Sequence, residues 1–241
     1  LKLERQRYVD SGNPEGYAQE YLNYPIDEST AYFRKQDFLP MSNEMKRVNK
    51  VHYIGVDLAV SERERADYSV FVVGGMDESN RLCIVDVIRE RMDAKTIVDT
   101  LLSFKDRYNP DMIAIEGSLI EKSIGPFLND EMFKRDIFIP ITTMTPTKDK
   151  PTRARSIQAR MRAGSVLFDK ESDWYSDLEQ EMLQFPKSRH DDQVDAIAWL
   201  GLIIDQMSDA KTDKEIEEEK YADELEESGI NLLGRNEVTG Y

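Results

Sequence analysis

The chain has 241 residues, of which 40% are hydrophobic and 33% charged, and its net charge is −15 at pH 7. This composition is typical of a globular protein with one or two domains rather than of a disordered chain. The longest apolar run, residues 196–204, has about half the length of a membrane span. The first residues do not form a basic and apolar leader, so we expect a soluble protein that is not exported.

The negative charge argues against a nucleic-acid partner, because phosphate repels acidic groups, but this charge is unevenly distributed. Residues 208–241 hold eleven acidic and four basic residues, a net charge of −7. Residues 146–165 hold six basic residues and one aspartate, a net charge of +5. The sequence therefore predicts an acidic tail that is a solvated helix or disordered, and a positive surface around residues 146–165.

Three short segments rich in β-branched residues, 51–57, 69–75 and 82–88, are separated by polar, turn-rich stretches and predict a β-meander. Residues 112–116 and 137–141 predict a fourth and a fifth strand, and residues 166–168 a short extended piece. Capping residues and hydrophobic spacing predict the helices. These are expected between Asp93 and Asn109, over 121–135, between Pro151 and Gly164, and over 173–184 and 191–207.

This order of elements predicts an α/β fold with a central mixed sheet of five strands flanked by helices. Short turns impose antiparallel pairing on the first three strands, whereas a helical crossover imposes a parallel pair. Residues 1–48 carry turn signals and recurring aromatic residues without a sustained period, and predict an ordered arm or linker. The expected domain is residues 49–207, followed by the acidic tail, residues 208–241.

Two acidic residues stand at the ends of apolar strands: Asp57 follows the first strand and Glu116 the fourth. A buried, unpaired carboxylate is costly, so both side chains are expected at the exit end of their strands. If these strands are parallel neighbours, the two carboxylates lie side by side, where α/β sheets generally place their sites. The alternative is that each acid only caps the next element.

Three aspartates, Asp191, Asp192 and Asp195, begin the last helix immediately before an apolar run. Helix spacing places two of them on one side, and the positive end of the helix dipole offsets part of their repulsion. One aspartate is explained as an N-cap, which is the alternative for Asp191. Crowded carboxylates otherwise take up protons, and a hard divalent cation removes the conflict. Oxygen ligands favour Mg²⁺ or Mn²⁺ over zinc.

The complete pattern resembles the ribonuclease-H-like nucleases. Within them, it resembles the nuclease domain of the large terminase subunit of tailed bacteriophages. The segments that carry this resemblance are GVDLA, ADYSV, the Lys/Arg-rich helix and FPKSRHDDQVDA, together with GYAQEYLNYP, which resembles the end of the ATPase region of that family. The resemblance covers roughly residues 15–205, and residues 1–48 then include the trailing end of an upstream ATPase.

The resemblance implies a catalytic, metal-binding triad of Asp57, Glu116 and Asp192. Asp195, Asp191 and Asp67 are further candidate metal ligands, although Asp67 is equally well explained as a turn residue before the second strand. The implied mechanism uses two ions of Mg²⁺ or Mn²⁺ about 3.5–4 Å apart, which activate water and stabilise the leaving 3′ oxygen. Phosphate contacts are expected from the basic helix, through Lys148, Lys150, Arg153, Arg155 and Arg160, without base preference.

The activity that this resemblance implies is metal-dependent cleavage of double-stranded, concatemeric viral DNA during genome packaging in the host cytoplasm. The implied partners are double-stranded DNA and the ATPase region of the same full-length chain, with the portal protein and the small terminase subunit as further candidates. Two alternatives remain open. One is a cellular Holliday-junction resolvase or ribonuclease of the same fold, and the other is a non-catalytic nucleic-acid-binding module.

Overall fold

The structure of the protein is a computed structural model, and it describes residues 31–59, 68–117, 120, 124–188 and 190–209. The chain divides into two units, residues 1–204 and residues 205–241. The first unit contains the sheet and the helices that cover it. The described part of the second unit, residues 205–209, is the end of the last helix.

A single mixed sheet of seven strands organises the first unit. The strands are β1 Leu39–Pro40, β2 Val51–Asp57, β3 Ser69–Met76, β4 Leu82–Glu90, β5 Met112–Glu116, β6 Ile141–Met144 and β7 Val166–Phe168. Their order across the sheet is β1-β7-β4-β3-β2-β5-β6. Strands β2, β3 and β4 pair in antiparallel fashion, whereas β5 pairs in parallel with β2 and β6. The mixed α/β fold predicted from the sequence is confirmed.

The predicted number of five strands is wrong. Residues 166–168, expected only as an extended piece, pair in parallel with β4, and residues 39–40 add a further edge strand beside them. Both strands are too short to carry a recognisable alternation of apolar and polar residues. The fifth predicted strand, residues 137–141, is displaced, because the strand begins at Ile141 and ends at Met144.

Seven α-helices lie among the described residues. They are α1 Asn43–Arg47, α2 Ala94–Tyr108, α3 Gly125–Arg135, α4 Lys150–Arg153, α5 Arg155–Arg162, α6 Tyr175–Gln184 and α7 Asp192–Asp209. The Asp93 carboxylate caps α2 by accepting a hydrogen bond from the Thr96 backbone N–H at 2.7 Å, as the sequence predicts. In the ranges that the structure describes, no helix is both long and apolar enough to cross a membrane.

The two faces of the sheet are buried under different helices. On one face, side chains of β3 and β4 pack against α5, α6 and α7, including the fully buried Trp199. On the other face, Ile54 and Val56 of β2 pack with α2 and α3. Each strand thus alternates between two apolar layers, and Asp57 and Glu116 lie where their strands end.

Residues 33–41 contribute to the core although they precede the domain expected from the sequence. Phe33 and Phe38 are only 1% and 2% exposed, and Phe33 lies against Phe185 with ring centroids 6.0 Å apart. Arg162 forms an ion pair with Asp37 at 3.0 Å. These residues belong to the sheet unit, and the domain boundaries at residues 48 and 207 stay predictions.

Helix α7 approaches β2 so closely that the strand has no room for a side chain at Gly55. A Cβ atom added to Gly55 would lie 2.1 Å from the Ala196 carbonyl oxygen and 2.6 Å from the Leu200 backbone nitrogen. Both atoms belong to the backbone of α7, so a rotamer change cannot relieve the overlap. The glycine therefore sets the distance between the helix and the strand.

We expect Gly55→Ala to destabilise the fold by more than about 3 kcal/mol, the upper part of the usual range for overpacking, because α7 must move. Thermal unfolding followed by circular dichroism measures this effect. Gly117→Ala is the matched control, since its Cβ would meet Thr143 Cβ at 3.3 Å and no atom closer. Equal unfolding temperatures for both variants would contradict the role assigned to Gly55.

Candidate active site

Asp57 and Glu116 lie at the same edge of the sheet. Strands β2 and β5 are parallel neighbours, and their last paired residues are Val56 and Ile115. The next residue of each strand is an acid, so the two carboxylates leave the sheet side by side. The neighbouring parallel strands on which the sequence argument depended are present.

The first turn of α7 brings two further acids to this edge. Asp192 and Asp195 are only 9% and 7% exposed, although both are charged residues at the start of a helix. The close approach of α7 to Gly55 holds this turn beside the end of β2. The part of the helix that follows is buried in the core, which fixes the backbone of this first turn at the edge of the sheet.

Asp57 is the centre of this acidic group. Burial has the largest effect on its pKa, and the negative charges of Asp195 and Asp192 raise the pKa further. Lys150 opposes this increase and Glu116 adds to it, with the result that the pKa of Asp57 is raised to about 8. The structure therefore places Glu116 and Asp192 closely enough to Asp57 for each to act on it electrostatically.

Two positively charged side chains of the basic segment, residues 146–165, point into the acidic group. Lys150 Nζ lies 2.6 Å from Asp191 Oδ1 and 2.7 Å from Asp195 Oδ2. Arg153 Nη2 donates a hydrogen bond of 2.5 Å to Asp195 Oδ1. Burial alone would lower the pKa of Lys150, but its hydrogen bonds to both aspartates outweigh this effect and raise that pKa. Asp191 and Asp195, predicted as metal ligands, are held by these ion pairs in the structure.

The five predicted phosphate-binding residues therefore have different surroundings. Arg153 is only 10% exposed at its side chain, and its Cζ lies 5.0 Å from the centre of the Trp199 ring. It faces Asp195 rather than solvent. The Lys150 side chain is partly exposed to solvent and also contacts the aspartates. Lys148 and Arg155 are exposed, and Arg160 is half-buried.

Sequence reasoning missed Glu181, a buried acid of α6 that positions the start of α7. Its Oε1 accepts a hydrogen bond of 2.7 Å from the Gln193 backbone N–H, and its Oε2 accepts one of 2.8 Å from the Gln193 side-chain amide. Glu181 thus supplies a cap from another helix to the turn that carries Asp192. Its sequence position among ordinary acidic residues of an amphipathic helix gives no signal of this role.

His190 lies between the acidic group and a cluster of arginines. Its Nδ1 is 3.9 Å from Asp192 Oδ2, and its ring meets Tyr68 edge-on with centroids 6.0 Å apart. The guanidinium groups of Arg89 and Arg91 lie against the same tyrosine. Strand alternation places both arginines on one face, which is the signal that sequence analysis overlooked. Asp67, a candidate ligand, lies outside the described residues.

The donor chemistry of this group suits a hard divalent cation, since every candidate ligand is a carboxylate oxygen. These side chains are not arranged as a complete metal-coordination site. Across residues 31–209, excluding the undescribed gaps, no three histidine, cysteine or acidic side chains are placed together as a metal site. Asp57, Glu116 and Asp192 fit a cation by charge and ligand type, and side-chain rotation is needed to complete its coordination.

A family model described as "Terminase RNaseH-like domain" matches residues 54–202, more than half of the chain. The chain belongs to this family. The match begins within β2 and ends within α7, so it includes Asp57, Glu116 and the three aspartates at the start of the last helix. No curated protein sequence matches significantly.

Solved structures of terminases share the fold. The large terminase nuclease from thermophilic phage G20c, with bound magnesium, has a TM-score of 0.51 and 17% identity, covering 74% of this chain and 98% of that one. The human cytomegalovirus terminase nuclease domain, soaked with manganese, has a TM-score of 0.50 and 12% identity, covering 72% and 94%. A large terminase from another thermophilic bacteriophage, in complex with ADP, has a TM-score of 0.51 and 12% identity, covering 71% and 43%.

These comparisons confirm three of the sequence-based predictions. The family model confirms the terminase family. The family model and the architecture shared with the solved terminase structures confirm the ribonuclease-H-like fold. The class of enzyme, a nuclease that hydrolyses phosphodiester bonds, is confirmed as the class of this family. The individual site residues stay predictions.

We expect Asp57→Asn to stabilise the protein in the presence of a chelator, because the substitution removes a carboxylate that is partly buried among other acids. The folded protein holds the Asp57 proton up to about pH 8, whereas the unfolded chain releases it near pH 3.8. Stability from this group is therefore lost as the pH rises between these values. The melting temperature should rise by at least about 2–4 °C at pH 8, roughly 1 kcal/mol for a domain of this size.

Differential scanning calorimetry at pH 5 and pH 8 tests this expectation, with the larger gain at pH 8. Asp111→Asn is the control, since Asp111 is exposed and precedes β5 at the end opposite Glu116. A decrease in the melting temperature of Asp57→Asn at pH 8 would mean that the carboxylate is not crowded.

Proposed function

We propose that this chain is a metal-dependent endonuclease that cuts double-stranded, concatemeric viral DNA during genome packaging. The proposal is supported most directly by three acids from distant parts of the chain that lie at one edge of the sheet. Asp57 and Glu116 end parallel neighbouring strands, and Asp192 begins the helix packed over them. Membership of the terminase family supports DNA rather than RNA as the substrate.

We assign Asp57, Glu116 and Asp192 as the ligands of two Mg²⁺ or Mn²⁺ ions, with Asp57 central because the other acids surround it. Bound divalent ions supply an activated water molecule and neutralise the charge that develops on the phosphate. Magnesium in the G20c nuclease and manganese soaked into the cytomegalovirus nuclease domain support this choice of ions. Asp195 and Asp191 are weaker candidates as ligands, because Lys150 and Arg153 already bind their oxygens.

The chain's own cations have two tasks in this proposal. Arg153 and Lys150 fix the Asp195 carboxylate, and the positive charge of Lys150 opposes the increase in the pKa of Asp57. Lys148 and Arg155 are exposed on the same basic segment and contact phosphates of the DNA backbone. Such contacts position the duplex without reading its sequence.

The wider packaging machinery is part of the same proposal. The terminase in complex with ADP is longer than this chain, which covers 43% of it. Together with the ATPase-like segment GYAQEYLNYP, this supports cooperation with the ATPase region of a large terminase. Contacts with the portal protein and the small terminase subunit, and a location in the host cytoplasm, stay predictions from the family resemblance.

We expect the chain to convert supercoiled plasmid to nicked and linear forms with Mn²⁺, and not with EDTA. Asp57→Asn, Glu116→Gln and Asp192→Asn should each reduce the rate by roughly a thousandfold or more, since loss of a metal ligand costs several kcal/mol of transition-state stabilisation. Gel assays at low salt measure these rates, with Asp111→Asn as an acid-to-amide control of unchanged activity.

Cleavage that persists in EDTA, or that is equal in Asp57→Asn and the unsubstituted chain, would refute the metal-dependent mechanism. Competing substrates separate the alternatives. Faster cleavage of an RNA–DNA hybrid would favour a ribonuclease, and faster cleavage of a four-way junction would favour a resolvase. Retention of duplex DNA without cleavage in Mn²⁺ or Mg²⁺ would favour a binding module.

A further inference from the structure

A second basic group lies beside the acidic group of Asp57, Glu116, Asp192 and Asp195. It does not belong to residues 146–165. The guanidinium carbons of Arg89 and Arg91 lie 3.9 Å and 4.0 Å from the centre of the Tyr68 ring. Arg89 is near the end of β4, and Tyr68 immediately precedes β3. We call Tyr68, Arg89 and Arg91 the arginine pair site.

The register of the sheet fixes where this site lies. Asp57 pairs with Val70 on β3, and Val70 pairs with Arg89 on β4. Residues that pair directly across strands point to the same face, so the Asp57 and Arg89 side chains emerge on one side of the sheet. Two strand spacings separate their Cα atoms by about 10 Å. His190 bridges the interval, since it contacts Tyr68 and lies 3.9 Å from Asp192.

Two guanidinium groups on one ring repel each other, and a cation–π contact at a partly exposed position offsets this repulsion only weakly. Glu181 forms a long ion pair with Arg89, with 3.7 Å between Arg89 Nη2 and Glu181 Oε2, and both Glu181 oxygens also accept hydrogen bonds from Gln193. The Arg89 side chain is 23% exposed, so an external anion can reach its guanidinium group and reduce the repulsion between the two arginines.

We propose that the arginine pair site binds a backbone phosphate of the DNA, a short distance along the strand from the phosphate that is cut. This inference rests on the proposed nuclease function. The planar guanidinium group of arginine can donate hydrogen bonds to two oxygens of one phosphate. Stacking on Tyr68 orients both guanidinium groups in the absence of DNA. On a chain with a net charge of −15, such a local positive site is needed to hold DNA close to an acidic cluster.

The test is the salt dependence of duplex binding, measured by fluorescence anisotropy of a labelled duplex in EDTA. Each lost phosphate contact makes the negative slope of log K against log salt shallower by about 0.9, which is roughly an eightfold loss of affinity at 0.1 M salt. We expect this change for Arg91→Gln. Arg91→Lys keeps the charge and should keep the slope, and Arg91→Met, which retains the apolar stem over Tyr68, should match Arg91→Gln.

Arg47→Gln is the matched control, because it removes the same charge from an exposed residue that precedes the opposite end of β2. Its slope and affinity should stay close to those of the unsubstituted chain. Melting temperatures of all variants confirm that they fold. The inference is overturned by an unchanged slope in both Arg91→Gln and Arg91→Met, by an equal change in Arg47→Gln, or by failure of Arg91→Lys to restore the slope.

Binding in EDTA separates this inference from the proposed function. If the unsubstituted chain cuts plasmid with Mn²⁺ but the slopes do not differ, the arginine pair site is wrong and the nuclease stands. If the slopes differ as expected but plasmid is never cut, the phosphate site stands and the nuclease proposal fails. If the unsubstituted chain does not bind duplex even at 50 mM salt, the arginine pair site is refuted directly.

Discussion

The contact between helix α7 and strand β2 is the constraint on which the acidic cluster depends. Gly55 leaves no space between the strand and the helix backbone, and the apolar part of α7 is buried against the sheet. The first turn of α7 must then lie beside the end of β2, which brings Asp192 and Asp195 to Asp57. The hydrophobic core thus supplies the free energy that holds like charges together.

The cost of this crowding is reduced by groups that belong to other elements. Lys150 and Arg153 bind both oxygens of Asp195, and Glu181 satisfies the backbone at the start of α7. Even so, the raised pKa of Asp57 indicates that repulsion and burial are not fully compensated. An arrangement of this kind costs stability in the protein and is expected where function requires the charges. In the function that we propose, a divalent cation held by Asp57, Glu116 and Asp192 would provide the missing positive charge.

Much of this arrangement could be predicted from the sequence, because it follows from local patterns. An acid directly after a buried strand marks the strand's exit, and two parallel strands bring two exits together, as Asp57 and Glu116 illustrate. The aspartates before an apolar helix were equally visible. The pairing of Lys150 with Asp191 and Asp195 was not, since ion pairs between distant segments leave no periodic signal. The same holds for Glu181 and for the two-residue strand β1, whose roles exist only through tertiary contacts.

The central claim is that the acids of β2, β5 and α7 form one cation-binding centre. Diffraction from crystals grown with Mn²⁺, collected at the manganese absorption edge, tests this claim directly. The account predicts two anomalous peaks, both near the Asp57 carboxylate, with Glu116 and Asp192 oxygens among the direct ligands. Peaks only at other positions, or an Asp57 carboxylate without manganese in a well-ordered crystal, would contradict it.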